Sequence, residues 1–279
     1  MFGGGKDGVV RKLAPDGTVT EAARTGGRPL GLAFDRDGNL VICDIGVECV
    51  LQLRPDGTLA TLATEAAGQR LAFPNGAVFD AEGSLYISNS FDTSLSALAA
   101  AAGPGPLTDH DRLVRLPNER MAAEVRDRTP SGSLCRIGPD GGGEILARGL
   151  YCPNGIAIDP DETAVYVLQS TVNNCVRVPL AGGTPELFAE FPSAPDGIAF
   201  DCDGNAIVTL PLLNRIVVVD PSGAQETLVD DPEGTVLDLP TNCAFGGPGF
   251  DQLYVGHVIA DHVALVPYPR PGHRLYHLR

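Results

Sequence analysis

Residues 194–210 read APDGIAFDCDGNAIVTL, and four other stretches of the chain carry the same pattern. RPLGLAFDRDGNLVICD begins at Arg28, FPNGAVFDAEGSLYISN at Phe73, CPNGIAIDPDETAVYVLQ at Cys152, and a degenerate copy, LPTNCAFGGPGFDQLYVGH, at Leu239. Each copy is a short apolar run, an acidic or glycine-bearing turn and a second apolar run, which predicts a β-hairpin. The second residue is always proline (Pro29, Pro74, Pro153, Pro195, Pro240), and successive prolines lie 45, 79, 42 and 45 residues apart. After the hairpin come a third apolar run (VECVLQL, NRIVVVD), a turn (RPDG, DPSG) and a fourth run (TLATLA, QETLV). Four antiparallel strands recurring at this spacing are the unit of a β-propeller, and a β-sandwich has no such fixed period.

The expected fold is therefore all-β: a six-bladed β-propeller of four-stranded antiparallel blades, forming a single domain over residues 1–279. The long gap holds an insertion at about residues 91–130, including SLSALAAAAGPGPLTDHDRLVRLPNERMAAEVRD. Short helices are expected there at Ser94 to Ala101 and around Glu119 to Arg126, as a flap over one mouth of the ring. The first blade reads as incomplete. GVVRKLAPDGTVTEAAR matches the third and fourth strands of a unit, FGGGKDG reads as the end of a second strand, and TNCAF, DQLYVGH, HVALVPYP and HRLYHL fill the last blade. An open seam is unfavourable, so Met1 is expected to be an internal or misassigned start with about 30 or more residues before it. The intact mass of the natural protein tests this.

Composition narrows the function. The chain has 279 residues, 43% of them hydrophobic, with 34 Gly, 23 Pro and no Trp, which supplies a sizeable core but argues against a helical bundle. A net charge of −15 repels phosphates, so neither nucleic acid nor an anionic membrane is an expected partner, which leaves metal cations and neutral small molecules open. No apolar run reaches the roughly 20 residues of a membrane span, and MFGGGKDGVV lacks a secretory pattern, so a cytoplasmic location is expected. The seven cysteines are scattered without CxxC spacing and read as small buried residues rather than a disulfide framework or a zinc site. The histidines (His110, His257, His262, His273, His277) form no ligand set, and no GxSxG elbow, P-loop or dinucleotide-binding glycine pattern is present.

The residue after each repeat proline occupies one place in every blade, on the strand nearest the propeller axis: Leu30, Asn75, Asn154, Asp196 and Thr241. One carboxylate and two amide carbonyls converging there suit a hard divalent cation such as Ca²⁺ or Mg²⁺. The alternative is that Asn-Gly and Asp-Gly merely tighten the entry to a strand. The acidic pairs Asp35/Asp37, Asp80/Glu82, Asp159/Asp161 and Asp201/Asp203 fall in the hairpin turns at the other end and read as solvated turns.

YCPNGIAIDPDETAVYVLQS, APDGIAFDCDGNAIVTL and TNCAFGGPGFDQLYVGH resemble the blade segments of the SMP-30/gluconolactonase/LRE-like family of six-bladed propellers, from about Gly8 to the end. The resemblance implies a divalent-metal-dependent lactonase acting on a sugar lactone or related small ester. Asn154 and Asp196 match its metal ligands, with Asp196 also the catalytic base, and Asn75 matches a channel asparagine near the substrate. Ca²⁺ is the first expectation, with Mg²⁺, Mn²⁺ or Zn²⁺ as alternatives. Gly76 stands where the family often has Asp, and the family's glutamate ligand belongs to an EGP-like segment that this chain lacks. A non-catalytic binding scaffold and a strictosidine-synthase-like or esterase-like propeller are the other readings.

Overall fold

The computed structural model describes residues 2–5, 7–92, 129–259 and 262–278. The expected helices at 94–101 and 119–126, His110 and nearly all of the insertion lie outside the described residues. The described residues are chiefly strand, gathered into six antiparallel sheets whose strands pair in sequence order, plus a small hairpin of Glu65–Ala66 and Gln69–Arg70. Four sheets have four strands and begin at Pro29, Pro74, Pro153 and Ile198; the first and last sheets have three. This is the strand inventory of a six-bladed β-propeller, as the repeat predicts. No helix among the described residues is long and apolar enough to cross a membrane.

The first blade follows the reading of FGGGKDG as the end of a second strand: Phe2–Gly4 pairs with Val9–Leu13, so this sheet has three members. The last blade departs from expectation. In the last sheet HRLYHL supplies no fourth strand: Tyr276–Leu278 is a 3₁₀ turn, and Tyr276 stacks on Phe79 with centroids 5.5 Å apart. Pro267, Pro269 and Pro271 precede it. A run without backbone N–H groups at alternate positions cannot continue a ladder.

The chain forms two compact units, Met1–Pro153 with Tyr276–Leu278, and Asn154–Leu275. In the first, Val41, Cys43, Val50, Leu85, Ile87 and Cys135 pack the second sheet against the third. In the second, Leu168, Cys175, Phe191, Ile198, Val208 and Leu210 join the fourth sheet to the fifth. The second strands Leu40–Asp44, Leu85–Asn89 and Ala206–Leu210 are buried at every residue, which is why LVICD, LYISN and AIVTL lack polar alternation. The glycine two places after the repeat proline also has a packing cause. A Cβ on Gly31 would collide with the Asn75 carbonyl oxygen, one on Gly155 with that of Asp196, and one on Gly197 with that of Thr241. Only glycine lets consecutive first strands approach this closely.

The first aspartate of each of these hairpin turns organises that turn. Asp35 Oδ1 accepts from the backbone N–H groups of Asp37 and Asn39, Asp80 and Asp201 repeat the arrangement, and Asp159 Oδ1 accepts from those of Thr163 and Ala164. Asp80 and Asp201 are buried, which corrects the solvated reading for these two, while Asp37, Glu82, Asp161 and Asp203 are exposed as expected. Tyr86 donates to Asp80 at 2.9 Å, while Tyr268 and Arg270 donate to Asp201 at 3.0 and 2.7 Å, so burial leaves neither carboxylate unsatisfied. All seven cysteines are free; five are buried, Cys243 is half-buried, and Cys202 is exposed on the Asp201 turn, against expectation.

Candidate metal and substrate site

In the first unit, Asn75 Nδ2 donates to Ser90 Oγ at 3.1 Å, and Ser90 Oγ donates to the Pro153 carbonyl at 2.7 Å. The second unit repeats the chain of bonds one blade on: Asn154 Nδ2 to Ser170 Oγ at 3.1 Å, Ser170 Oγ to the Pro195 carbonyl at 2.7 Å. The serine proton goes to a carbonyl, so the hydroxyl lone pairs must receive the amide –NH₂. That selects which end of each asparagine meets the serine and turns Oδ1 away from it.

Each serine immediately follows its blade's second strand. At the same place stand Ile45 in the blade of Leu30 and Pro211 in the blade of Asp196. The two positions therefore change together: Leu30 with Ile45, Asn75 with Ser90, Asn154 with Ser170, Asp196 with Pro211. Leu30 and Ile45 join Phe73, Phe91 and Cys152 in an apolar cluster of the first unit. Ser90 and Ser170 escaped the sequence reading, although LYISNS and VYVLQS, with serine only where Asn stands at the first position, held the signal.

Asp196 and Asn154 come together in the second unit. The Gly155 N–H donates to the Asp196 carbonyl at 2.8 Å, tying the first strand of the fourth sheet to the segment that leads into the first strand of the fifth. Burial pushes the Asp196 carboxyl up to about 6, against the opposing hydrogen bond from the Asn154 side chain. With Pro211 in the serine's place, no hydroxyl serves this carboxylate from that position. Cys243 lies nearby, and burial, reinforced by the negative charge of Asp196, pushes its thiol up to about 12. At neutral pH it stays protonated and is no nucleophile.

A partly exposed carboxylate, desolvated and without a cationic neighbour among the described residues, beside a fixed amide, is a donor set that suits an oxygen-preferring divalent cation. The pair fits such an ion as part of its shell. Among the described residues no group of three or more His, Cys, Asp or Glu side chains is gathered, so a carboxylate-rich or imidazole site of the zinc type is absent there. Asn75 stands in the first unit with its own serine. Thr241 contributes a backbone carbonyl that accepts from Thr209 Oγ1 at 2.6 Å. His257 Nδ1 lies 3.1 Å from the His262 carbonyl, and His262 Nε2 lies 3.2 Å from that of Val236.

Repeated four-stranded blades carrying an amide at Asn154 and a carboxylate at Asp196 define a class of propeller, and comparison with known proteins gives its family. The SMP-30/Gluconolactonase/LRE-like region matches residues 13–258, and the chain belongs to that family. It is 27% identical to the protein STRICTOSIDINE SYNTHASE-LIKE 6 of Arabidopsis thaliana over 220 residues, 76% of this chain and 53% of that protein, so it spans about half the length of this relative. It is 24% identical over 270 residues to a gluconolactonase of Zymomonas mobilis, covering 86% of this chain and 68% of the other. The solved gluconolactonase of Xanthomonas campestris shares the fold with a TM-score of 0.72 at 22% identity, over 95% of this chain and 80% of that one.

Proposed function

We propose that the protein is a divalent-metal-dependent hydrolase that opens a sugar lactone or a related small ester. The observation that carries this reading is the pairing of Asn154 with a desolvated Asp196 whose carboxyl sits near 6. Asn154 and Asp196 would hold the cation, Ca²⁺ first by its preference for oxygen donors, with Mg²⁺, Mn²⁺ or Zn²⁺ as alternatives. When bound, the cation supplies Lewis-acid polarisation of a carbonyl and charge neutralisation.

The remaining chemistry falls to the chain's own groups. A carboxyl near 6 is largely ionised at neutral pH yet basic enough to take a proton from water, which gives Asp196 the part of general base. The hydroxyl oxygen of that water bonds to the acyl carbon, the ring C–O bond breaks, and the ring oxygen leaves as a hydroxyl on receiving a proton. Asn154 orients and does not react. Asn75, held the same way by Ser90, contacts the substrate. A cytoplasmic location accords with seven free cysteines.

The similarity to strictosidine synthase-like proteins supports a second reading, another reaction on the same scaffold. Hydrolysis of a panel of sugar lactones by the chain stripped of metal and resupplied with each cation separates the two. The lactonase reading expects activity that returns with metal, and loss of it in Asp196→Ala with the fold retained. Wild-type turnover in Asp196→Ala, or no hydrolysis with any cation, overturns it.

A further inference from the structure

We infer that Thr209 is a positioning residue for Asp196, its hydroxyl and main chain together aiming the carboxylate at Asn154. Thr209 lies on the second strand of the fifth sheet, Ala206–Leu210, and is fully buried. Its carbonyl accepts from the Asp196 N–H at 3.1 Å, its hydroxyl oxygen accepts from the Gly197 N–H at 2.8 Å, and its own N–H donates to the Gly197 carbonyl at 3.0 Å. Two successive residues of one segment therefore bond to a single residue of the facing strand. That is the pattern of a β-bulge, which interrupts the alternation of side chains and re-aims one of them.

The peptide group after Asp196 is held at both ends. Its carbonyl accepts from the Gly155 N–H at 2.8 Å, and its N–H is the one bonded to Thr209 Oγ1. Thr209 also holds the peptide group before Asp196, so with both planes fixed the residue's two backbone dihedrals are fixed, and with them the direction in which its side chain leaves the chain. A hydroxyl has one proton to give. Thr209 Oγ1 lies 2.6 Å from the Thr241 carbonyl and 3.5 Å from that of Gly197, which the Thr209 N–H already serves. The proton therefore goes to Thr241, and the oxygen lone pairs receive the Gly197 N–H.

The hydroxyl goes with the site residues rather than with the fold. In the five blades that carry the repeat, this place is filled by Cys43, Ser88, Leu168, Thr209 and Gly256. The sheets of Leu30 and Thr241 break register at the same point without a hydroxyl there, so the irregular backbone does not require one. The two blades that have it are those of Asn75 and Asp196, and Ser88 Oγ likewise accepts from the Gly76 N–H at 2.7 Å. That the aimed carboxylate then holds a cation rests on the function proposed above; the aiming itself does not.

The test compares Thr209→Val, which keeps the shape and removes the hydroxyl, with Thr209→Ser, which returns it, and with Thr25→Val. Thr25 is the structural control: its Oγ1 accepts from the Gly27 N–H at 3.2 Å and donates to the Gly8 carbonyl at 3.3 Å, in the first unit. Two quantities are read on the full chain: Ca²⁺ affinity by calorimetry and, in the metal-free protein, the NMR shifts of the Asn154 side-chain amide protons, which report its bond to the Asp196 carboxylate. Thr209→Val is expected to weaken Ca²⁺ binding about tenfold or more and to move the Asn154 resonances, Thr209→Ser to bring both back toward wild type, and Thr25→Val to change neither. A role confined to stability would lower the melting temperature of both valine variants and move neither quantity. Should Thr209→Val fail to fold, Thr209→Ala carries the same measurements. Unmoved Asn154 resonances on loss of the hydroxyl, or no recovery in Thr209→Ser, overturn the inference. A wild-type chain that binds no cation, with the Asn154 resonances still displaced by Thr209→Val, overturns the metal reading and leaves the positioning role standing.

Discussion

Asn154 donates its amide to Ser170 Oγ at 3.1 Å, and Ser170 passes its own proton to the carbonyl of Pro195, the residue just before Asp196. One hydroxyl thus ties the orientation of the amide to the backbone that carries the carboxylate. The same device at Asn75, Ser90 and Pro153 indicates that the fold uses it wherever an asparagine stands at this place.

Ser170→Ala removes that constraint without touching either proposed ligand. Loss of one such supporting bond is expected to weaken cation affinity about tenfold or more, with Ser170→Thr restoring it in part. Calcium titration calorimetry on the two variants checks this; unchanged affinity in the alanine variant would show that the serine does not govern the site.

The raised Asp196 carboxyl makes a pH prediction. Its folded-state value, about 6, exceeds the ordinary 3.8, so the folded chain binds the proton more tightly than the unfolded chain does. Metal-free stability should then fall as pH rises from about 4 to above 6. Asp196→Asn, which cannot ionise, should abolish that decline and melt higher than wild type at pH 8. Urea unfolding across this range, with EDTA present, measures both; a variant that declines like wild type would assign the effect elsewhere.

Asp201 behaves oppositely. Burial works to raise its carboxyl, but Arg270, Asn205 and Tyr268 outweigh that and hold it below the usual value. Its stabilising contribution is present above the ordinary carboxylate range and is lost as pH falls through the depressed folded value. Asp201→Ala, which strands Tyr268 and Arg270, should cost about 2–4 kcal/mol near neutral pH and flatten the acid limb of the stability curve. Equilibrium denaturation at pH 7 and pH 3 gives the comparison.

Gly155→Ala should destabilise by about 1–3 kcal/mol, because the added Cβ meets the Asp196 carbonyl oxygen and forces apart two segments joined by the 2.8 Å Gly155–Asp196 bond. Gly17→Ala is a control of another kind: its Cβ would meet nothing, but its φ of +84° makes the turn strained, so its cost is conformational and leaves the site untouched. Cation affinity should fall in the first variant and not in the second, which calorimetry tests.

The repeat was legible because it is written in local chemistry. Proline at the start of a strand, glycine where strands touch and aspartate closing a turn each act within a few residues, so five copies could be read from Pro29, Pro74, Pro153, Pro195 and Pro240. The first blade was legible too, since FGGGKDG pairs through Phe2–Gly4 with Val9–Leu13 as the end of a second strand. The last blade was less so. HRLYHL has strand-like alternation, yet Tyr276 and His277 lie instead against Phe79 and Phe34. Ser90 and Ser170 are ordinary surface-type residues in sequence and become site residues only through a partner 15 or 16 positions away.

By itself the sequence determined the strand order, the turn positions and the oxygen-bearing residues at the proline-marked places, since backbone geometry and burial period are properties of short segments. Only the tertiary structure decided what the polar residues meet: that Asn154 is oriented by Ser170, that Asp196 is desolvated beside it, and that Asp201 is buried under Tyr268 and Arg270. Desolvation and hydrogen-bond partnership depend on which distant strands are brought into contact, and no local pattern encodes that.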